Sequence, residues 1–347
     1  MSRLISNQDA GRVDFYLYRA YDTGFVPIPC GLNLDVARAF PVSTRATDFH
    51  LDFLVPGISK CGTTSLCALL NQHPHLFIPE EKEPLFFIHS DHLDRLDGYT
   101  ALFREAPPEA LCGEGSTFYS SNTLEVACRD RIKRFNPDIK LIFIMRDPID
   151  RIESSFREFH HSGPFFGVYP PFDLAKAIEK LPDILEDCRY WSRLNNYRQT
   201  FSDDRILVLL LEDLKRDPVN ALKRCFSFLG VDPEAGILQP SLRLNEGEAK
   251  LKDTHLMRIV RALPIAGRRV SAWPLARQNQ VGSKFGLRRP FSERIVWTPE
   301  LQTRVILNLE QDIHQFLKYA ERPVSIWPRF AQLAASPRVQ SKRVASE

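Results

Sequence analysis

Between Pro56 and Leu66 the chain reads PGISKCGTTSL, with a lysine between two glycines and hydroxyls at Thr63, Thr64 and Ser65. An apolar run breaks at Pro56-Gly57, and an amphipathic pattern resumes after Gly62 with Leu66, Leu69 and Leu70 until Pro74 forbids continuation. This is strand, turn, helix. A helix start presents unpaired N–H groups and the positive end of its dipole, so the turn suits a phosphate or sulfate ester. The order is GxxKxGTTS, whereas the P-loop of nucleotide triphosphatases puts lysine directly after the second glycine. Lys60 precedes Gly62 by two residues, on the approach to the anion. The plain alternative is an ordinary turn with a solvated lysine. Cys61 reads as a small filler that becomes modifiable if exposed.

A second strand-turn-helix unit is KLIFIMRDPIDRIESSFREFHH, residues 140–161. Leu141 to Met145 is a buried-strand run, Asp147 an N-cap and Pro148 the first helical residue, with Ile149, Ile152, Phe156 and Phe159 on the core face. Between the two units, a short strand is expected near Leu76 to Ile78, followed by a loop with Glu80, Glu81 and Glu83. Residues 91–106 read as an exposed helix, CGEGSTFYSS (112–121) as a strand end entering a loop, and the stretch ending at Phe135 as helix. Beyond lie a helix through Tyr190 and Trp191, a buried strand over 205–214, and a helix over 218–229 with Val219, Leu222, Phe226 and Leu229 on one face and Gly230 closing it. Residues 231–298 look least regular and carry two basic clusters, 268–277 and 284–291. A final helix spans 299–319.

Strands alternating with helices, each strand continuously apolar, predict an α/β fold with a central parallel sheet flanked by helices. In such folds ligands sit at the carboxyl ends of strands, where both Lys60 and Arg146 fall. One domain over 49–330 is expected, with an N-terminal extension (1–48) packed on it and a mobile tail (331–347). Forty-six Lys and Arg against 43 Asp and Glu give a net charge of +3, too balanced for a general nucleic-acid binder, so an anion site must be local. Seven scattered cysteines without a CxxC pair read as free thiols. With neither a signal-peptide core nor an apolar membrane span in view, a cytoplasmic protein is expected.

Taken in order, these segments resemble the sulfotransferases that use 3′-phosphoadenosine 5′-phosphosulfate (PAPS), more the heparan sulfate and bacterial branch than the cytosolic steroid and phenol branch. PGISKCGTTSL resembles the family's 5′-phosphosulfate loop and KEPLFF (82–87) its KExxFF segment. GEGSTFYS resembles its GExSPxY element, and FIMRDPIDRIESSF its 3′-phosphate motif. The resemblance covers roughly residues 50–320 and implies a P-loop-like sulfotransferase fold. It implies that Lys60 contacts the bridging oxygen and the sulfuryl group, with Cys61, Gly62, Thr63, Thr64 and Ser65 lining the 5′-phosphosulfate. Arg146 and Ser154 would hold the 3′-phosphate, and Glu83 would be the general base. Lys284, Arg288 or Arg289 would supply a basic loop over the nucleotide, although their spacing departs from the family's KGRxxP form. The family's lysine after GE is here Gly115.

The implied reaction moves a sulfuryl group from PAPS to a hydroxyl, less readily an amine, of a sugar or small polar metabolite, releasing adenosine 3′,5′-bisphosphate (PAP) without a metal. Such transfer is mostly positioning and stabilisation of charge on the leaving oxygen. His89, His160 and His161 are alternative bases. Two other classes stay open: a P-loop kinase of a small metabolite, and a non-catalytic nucleotide-binding protein. Neither acceptor identity nor oligomeric state is legible.

Overall fold

A computed structural model of the chain describes residues 49–235, 250–291 and 294–344, so the expected extension over 1–48 lies outside the described residues. Five parallel strands form the central sheet: β1 (Phe53–Gly57), β2 (Leu76–Phe77), β3 (Leu111–Glu114), β4 (Lys140–Met145) and β5 (Ile206–Leu210). Their order is β2-β3-β1-β4-β5. Leu141 to Met145 and Phe53 to Val55 are all 0% exposed, which is the burial a parallel sheet covered on both faces imposes. This α/β architecture is the one the alternating strand and helix patterns predict.

The chain leaves β1 toward β2 and β3 on one side, and leaves β4 toward β5 on the other. That reversal opens a crevice beyond the carboxyl ends of β1 and β4. The two strands pair from Leu54 opposite Leu141 to Gly57 opposite Phe143, with the register shifting by one residue in between, and Ile58 N–H donates to Ile144 O at 3.0 Å. The loops carrying Lys60 and Arg146 therefore emerge side by side.

Helices Thr63–Leu70, Pro148–His161, Pro218–Leu229 and Pro299–Tyr319 fall where the apolar periods place them. Asp147 caps as expected, its Oδ1 accepting from Ile149 N–H at 2.9 Å. Gly230 ends its helix in the left-handed region at φ 85°. Several expectations are corrected. The strand predicted to 214 stops at Leu210, and Leu211–Arg216 turns into a helix. Val219 is exposed, because the buried stripe runs through Ala221, Leu222, Cys225, Phe226 and Leu229. The helix predicted over 91–106 shortens to Leu96–Ala101 after a 3-10 turn, and Tyr99 and Phe103 are buried rather than exposed. Past Phe330, where a tail was expected, Pro337–Val344 is helical, with Val339 at 0% exposure. No helix among the described residues is long and apolar enough to cross a membrane.

The described residues cluster into two compact units: a larger one of 49–156, 171–235 and 294–344, and a smaller one of 157–170 and 250–291. The smaller unit replaces the irregular structure expected there with an antiparallel pair, β6 (Leu251–Asp253) and β7 (Arg288–Pro290), and three helices, His255–Ala262, Pro264–Ser271 and Leu275–Lys284. Its centre is ionic. Asp253, 1% exposed, pairs with Arg261 at 2.6 Å and with Arg288 at 3.0 Å. Gly282 is needed beside them, since a Cβ there would lie 2.5 Å from Arg288 Cγ. One carboxylate thus balances two buried guanidiniums. Asp253→Asn should destabilise the protein by about 3–5 kcal/mol, read as a fall in the urea midpoint; a shift worth under about 1 kcal/mol would contradict the ionic core.

Candidate functional site

The site is built in the larger unit on the loop between β1 and helix Thr63–Leu70. Gly62, at φ 96°, has no room for a side chain: a Cβ there would lie 2.7 Å from Leu211 Cδ1. Its glycine is required twice, by conformation and by space. The first helical bond is Leu66 N–H to Gly62 O at 3.0 Å, so the N–H groups of Thr63, Thr64 and Ser65 precede it with no helical acceptor. No acidic side chain occupies that first turn. Donors and dipole together suit an anion.

Four described non-glycine residues have positive φ, and three of them are Lys60 (67°), Glu83 (56°) and Leu85 (58°). Such backbone costs on the order of 1 kcal/mol and persists where the surroundings over-determine it. The strain therefore concentrates on the two segments carrying the proposed catalytic residues.

Arg146 leaves the end of β4 and faces the same loop, donating from Nη1 to Lys60 O at 3.3 Å, with Nη2 3.4 Å from Asp150. Its Nε is buried and has no hydrogen-bond partner. A guanidinium with a donor left over suits a phosphate, which accepts from two or more such N–H groups. Ser154 is half-buried on helix Pro148–His161, eight residues beyond Arg146 in sequence. Cys61 is fully buried, its Sγ 3.8 Å from Tyr190 OH, and burial pushes its thiol up to about 11. Its N–H is taken by Ile58 O, so it fills space and offers no exposed thiol.

The sequence motif hid one residue that fixes all this. Arg151, 1% exposed, donates from Nε to Ser59 O at 3.1 Å, from Nη1 to Asp183 O and Ile184 O, and from Nη2 to Asp187 at 2.7 Å. It ties the anion loop to helix Asp183–Glu186 and the turn after it. Its neighbours Ile152 and Ser155 lie on the helix's buried face, and that periodicity was a readable signal.

Glu83 is held by its neighbours in the FF segment. Phe86 and Phe87 are buried in an aromatic cluster with Tyr99 and Phe135, and Arg131 caps the carbonyls of Phe87 and Ile88 at 2.9 Å. Thr117 Oγ1 donates to Glu83 Oε1 at 3.3 Å, and Ser116 Oγ accepts from Leu85 N–H at 3.1 Å. Ser116 in turn donates to Glu114 at 2.8 Å. The Glu83 and Lys82 charges both reach the Cys67 thiol on helix Thr63–Leu70, which places the Glu83 loop beside the anion loop's helix. Glu114, at the end of β3 and 0% exposed, was not singled out from sequence. Burial pushes its carboxyl up to about 7, opposed by hydroxyls of Tyr119, Ser116 and Tyr99 and reinforced by the Glu83 charge.

Two of the three alternative bases pack in the smaller unit. His160 is 1% exposed against Phe291, and His161 Nδ1 accepts from Leu251 N–H at 3.0 Å, both within the smaller unit. Burial holds His89 down at about 4. Arg288, offered from sequence as part of a basic covering loop, is corrected to a structural role: its guanidinium is enclosed by Asp253 and Leu251 O. Arg289 and Lys284 are exposed in the smaller unit.

The model of the sulfotransferase domain matches residues 50–284, more than half the chain. The chain belongs to the sulfotransferase family. Carbohydrate sulfotransferase 15 of Mus musculus is 24% identical over 246 residues, 52% of this chain and 44% of that protein. Heparan sulfate glucosamine 3-O-sulfotransferase 3A1 of Mus musculus is 26% identical over 185 residues, 51% of this chain and 45% of that protein. The chain thus spans less than half the length of these curated relatives. Among solved structures, a sulfotransferase from Alicyclobacillus acidocaldarius superposes with a TM-score of 0.55 at 20% identity, over 81% of this chain and 99% of that one, a likeness of fold. At Gly115, where the family pattern has lysine, a Cβ would lie 2.7 Å from Cys67 Sγ, so the departure is built into the packing of this sulfotransferase.

Glu114 carries a pH dependence whose sign follows from its raised carboxyl. The folded protein binds a proton there that the unfolded chain releases, so stability is full below pH 4.5 and falls as pH rises through about 7, by roughly 3 kcal/mol. Glu114→Gln should remove that loss: melting of the variant and the wild type at pH 5 and pH 8 should diverge in the variant's favour at the higher pH. A constant difference would contradict it.

Proposed function

We propose that this sulfotransferase moves a sulfuryl group from PAPS to a hydroxyl, less readily an amine, of a sugar or small polar metabolite. The observation that carries the reading is Arg146 Nε, a buried donor without a partner at the end of β4, beside a helix start whose N–H groups have no helical acceptor. A cosubstrate with phosphates at its 3′ and 5′ ends fits two such anion receptors. The curated relatives named above are carbohydrate and heparan sulfate sulfotransferases, which supports a sugar-type acceptor.

PAPS supplies an activated sulfuryl group joined to a phosphate oxygen. Thr63, Thr64 and Ser65 receive the 5′ anion through backbone and hydroxyl donors; Arg146 and Ser154 receive the 3′-phosphate. Lys60 neutralises the charge that grows on the departing phosphate oxygen. Glu83, oriented by Thr117, takes the acceptor's proton as the new O–S bond forms and the old one breaks, so PAP leaves with the bond's electron pair. The strained backbone at Lys60 and Glu83 supports this division, because strain is retained where geometry matters to chemistry. Lysine ahead of the second glycine argues against a P-loop kinase.

A labelled-sulfate transfer assay across an acceptor library, read by mass spectrometry, tests the reading. Lys60→Ala should lower kcat by about 10²- to 10³-fold, and Glu83→Gln by about 10²- to 10⁴-fold, with both variants folded. Transfer left unchanged by both substitutions would sink the mechanism; absence of transfer to any acceptor would favour a non-catalytic nucleotide-binding role.

A further inference from the structure

The smaller unit carries charge and apolar surface beyond what the proposed transfer mechanism calls on. Residues 250–291 hold ten Lys and Arg against a single acidic residue, Asp253, a net +9 in a chain whose whole is +3. Part of that charge is consumed inside: Arg261 and Arg288 on Asp253, Lys250 on Glu158, Arg258 on Pro170 O. Arg269, Arg277, Lys284 and Arg289 remain exposed. Among them lie side chains that ought to be buried. Leu256, Ile259, Leu263 and Ile265 are 59%, 60%, 51% and 72% exposed, and Phe285 is 67% exposed.

The arrangement is not random. On helix His255–Ala262, Leu256 and Ile259 share one face at a spacing of three, and Leu263 continues the stripe at seven, while Met257 and Arg261 turn inward. The next helix starts at once, at Pro264, and packs tightly on the first: a Cβ on Gly267 would lie 2.1 Å from Arg261 O. Two short helices are thereby fixed as one corner with apolar residues over 256–265 and basic residues in the same unit. Exposed aliphatics concentrated this way mark an interaction surface.

We propose that this corner docks on the surface of an anionic phospholipid bilayer. Cations suit the headgroups, and the aliphatic side chains gain by entering the acyl boundary. An acidic polysaccharide would match the charge equally well, but it has no apolar layer in which to bury Leu256, Ile259 and Ile265. The apolar half of the surface therefore selects the bilayer. This inference does not depend on the transfer mechanism, in which Leu256, Ile259, Arg269 and Arg277 are given no role.

The test is co-sedimentation of the full chain with phosphatidylcholine vesicles, with and without phosphatidylserine, at low and high salt. Binding should need phosphatidylserine and weaken with salt. Leu256→Gln with Ile259→Gln should weaken it by about tenfold or more, and Arg269→Glu with Arg277→Glu by about tenfold or more. All four positions are solvent-exposed, and unchanged melting curves would certify folding. No binding to phosphatidylserine vesicles would overturn the proposal. So would binding indifferent to the Leu256 and Ile259 substitutions, and retention on immobilised heparin without vesicle binding would assign the surface to a polyanion instead.

Discussion

One buried guanidinium holds the site together. Arg151 reaches from helix Pro148–His161 to Ser59 O in the anion loop and to Asp187 and two carbonyls beyond Leu181. Burying an arginine is costly unless every donor is used on charged or carbonyl partners, and here it is clamped on both sides. The consequence is that the loop after β1 and the motif after β4 form one rigid object. Tyr190 adds to it, donating to Arg146 O at 2.9 Å while packing against Cys61. Arg146 can then be left with an unused donor, because its backbone and its loop are fixed by others.

The same logic extends to the second half of the site. Asp147 is fully engaged by Ile149, Arg329 and Phe330 N–H groups, and Glu212 accepts from Asp147 N–H and Trp327. Arg329 spans Asp150 and Glu153 at 2.5 and 2.6 Å. The carboxylates next to Arg146 are thus partly spoken for, which lowers their competition for it. On the other flank, Glu114, Ser116 and Thr117 set the Glu83 loop through side-chain hydrogen bonds rather than regular secondary structure. Both flanks spend polar groups on orientation, leaving helix N–H groups without helical acceptors and Arg146 Nε without a partner.

Much of this was legible in the chain. Continuous apolar runs mark β1, β4 and β5 because a parallel sheet buries both faces, and the anion loop betrays itself by Lys60 and Gly62 at a helix start. What was not legible has physical reasons. The smaller unit has an ionic centre, Asp253 with Arg261 and Arg288, and its apolar residues Leu256, Ile259 and Leu263 are exposed rather than in a core, so it reads as irregular. Val219 and the end of β5 were misplaced because short apolar runs do not fix which helix face is buried or where a strand turns. Arg151 was missed since its role depends on partners 30 or more residues away, such as Asp187 and Ser59, and Glu114 because its role follows from complete burial at the end of β3. His160 and His161 looked like bases but are packed against Phe291 and Leu251.

The central claim is that the loops after β1 and β4 form one receptor for two phosphates on a single nucleotide. Calorimetric titration with adenosine 3′,5′-bisphosphate in the absence of magnesium, against ATP with magnesium, tests it most directly. The account predicts binding of the bisphosphate without metal, weakened at least about tenfold by Arg146→Ala, and little affinity for ATP. Tighter binding of ATP with magnesium, or bisphosphate binding indifferent to Arg146, would contradict it.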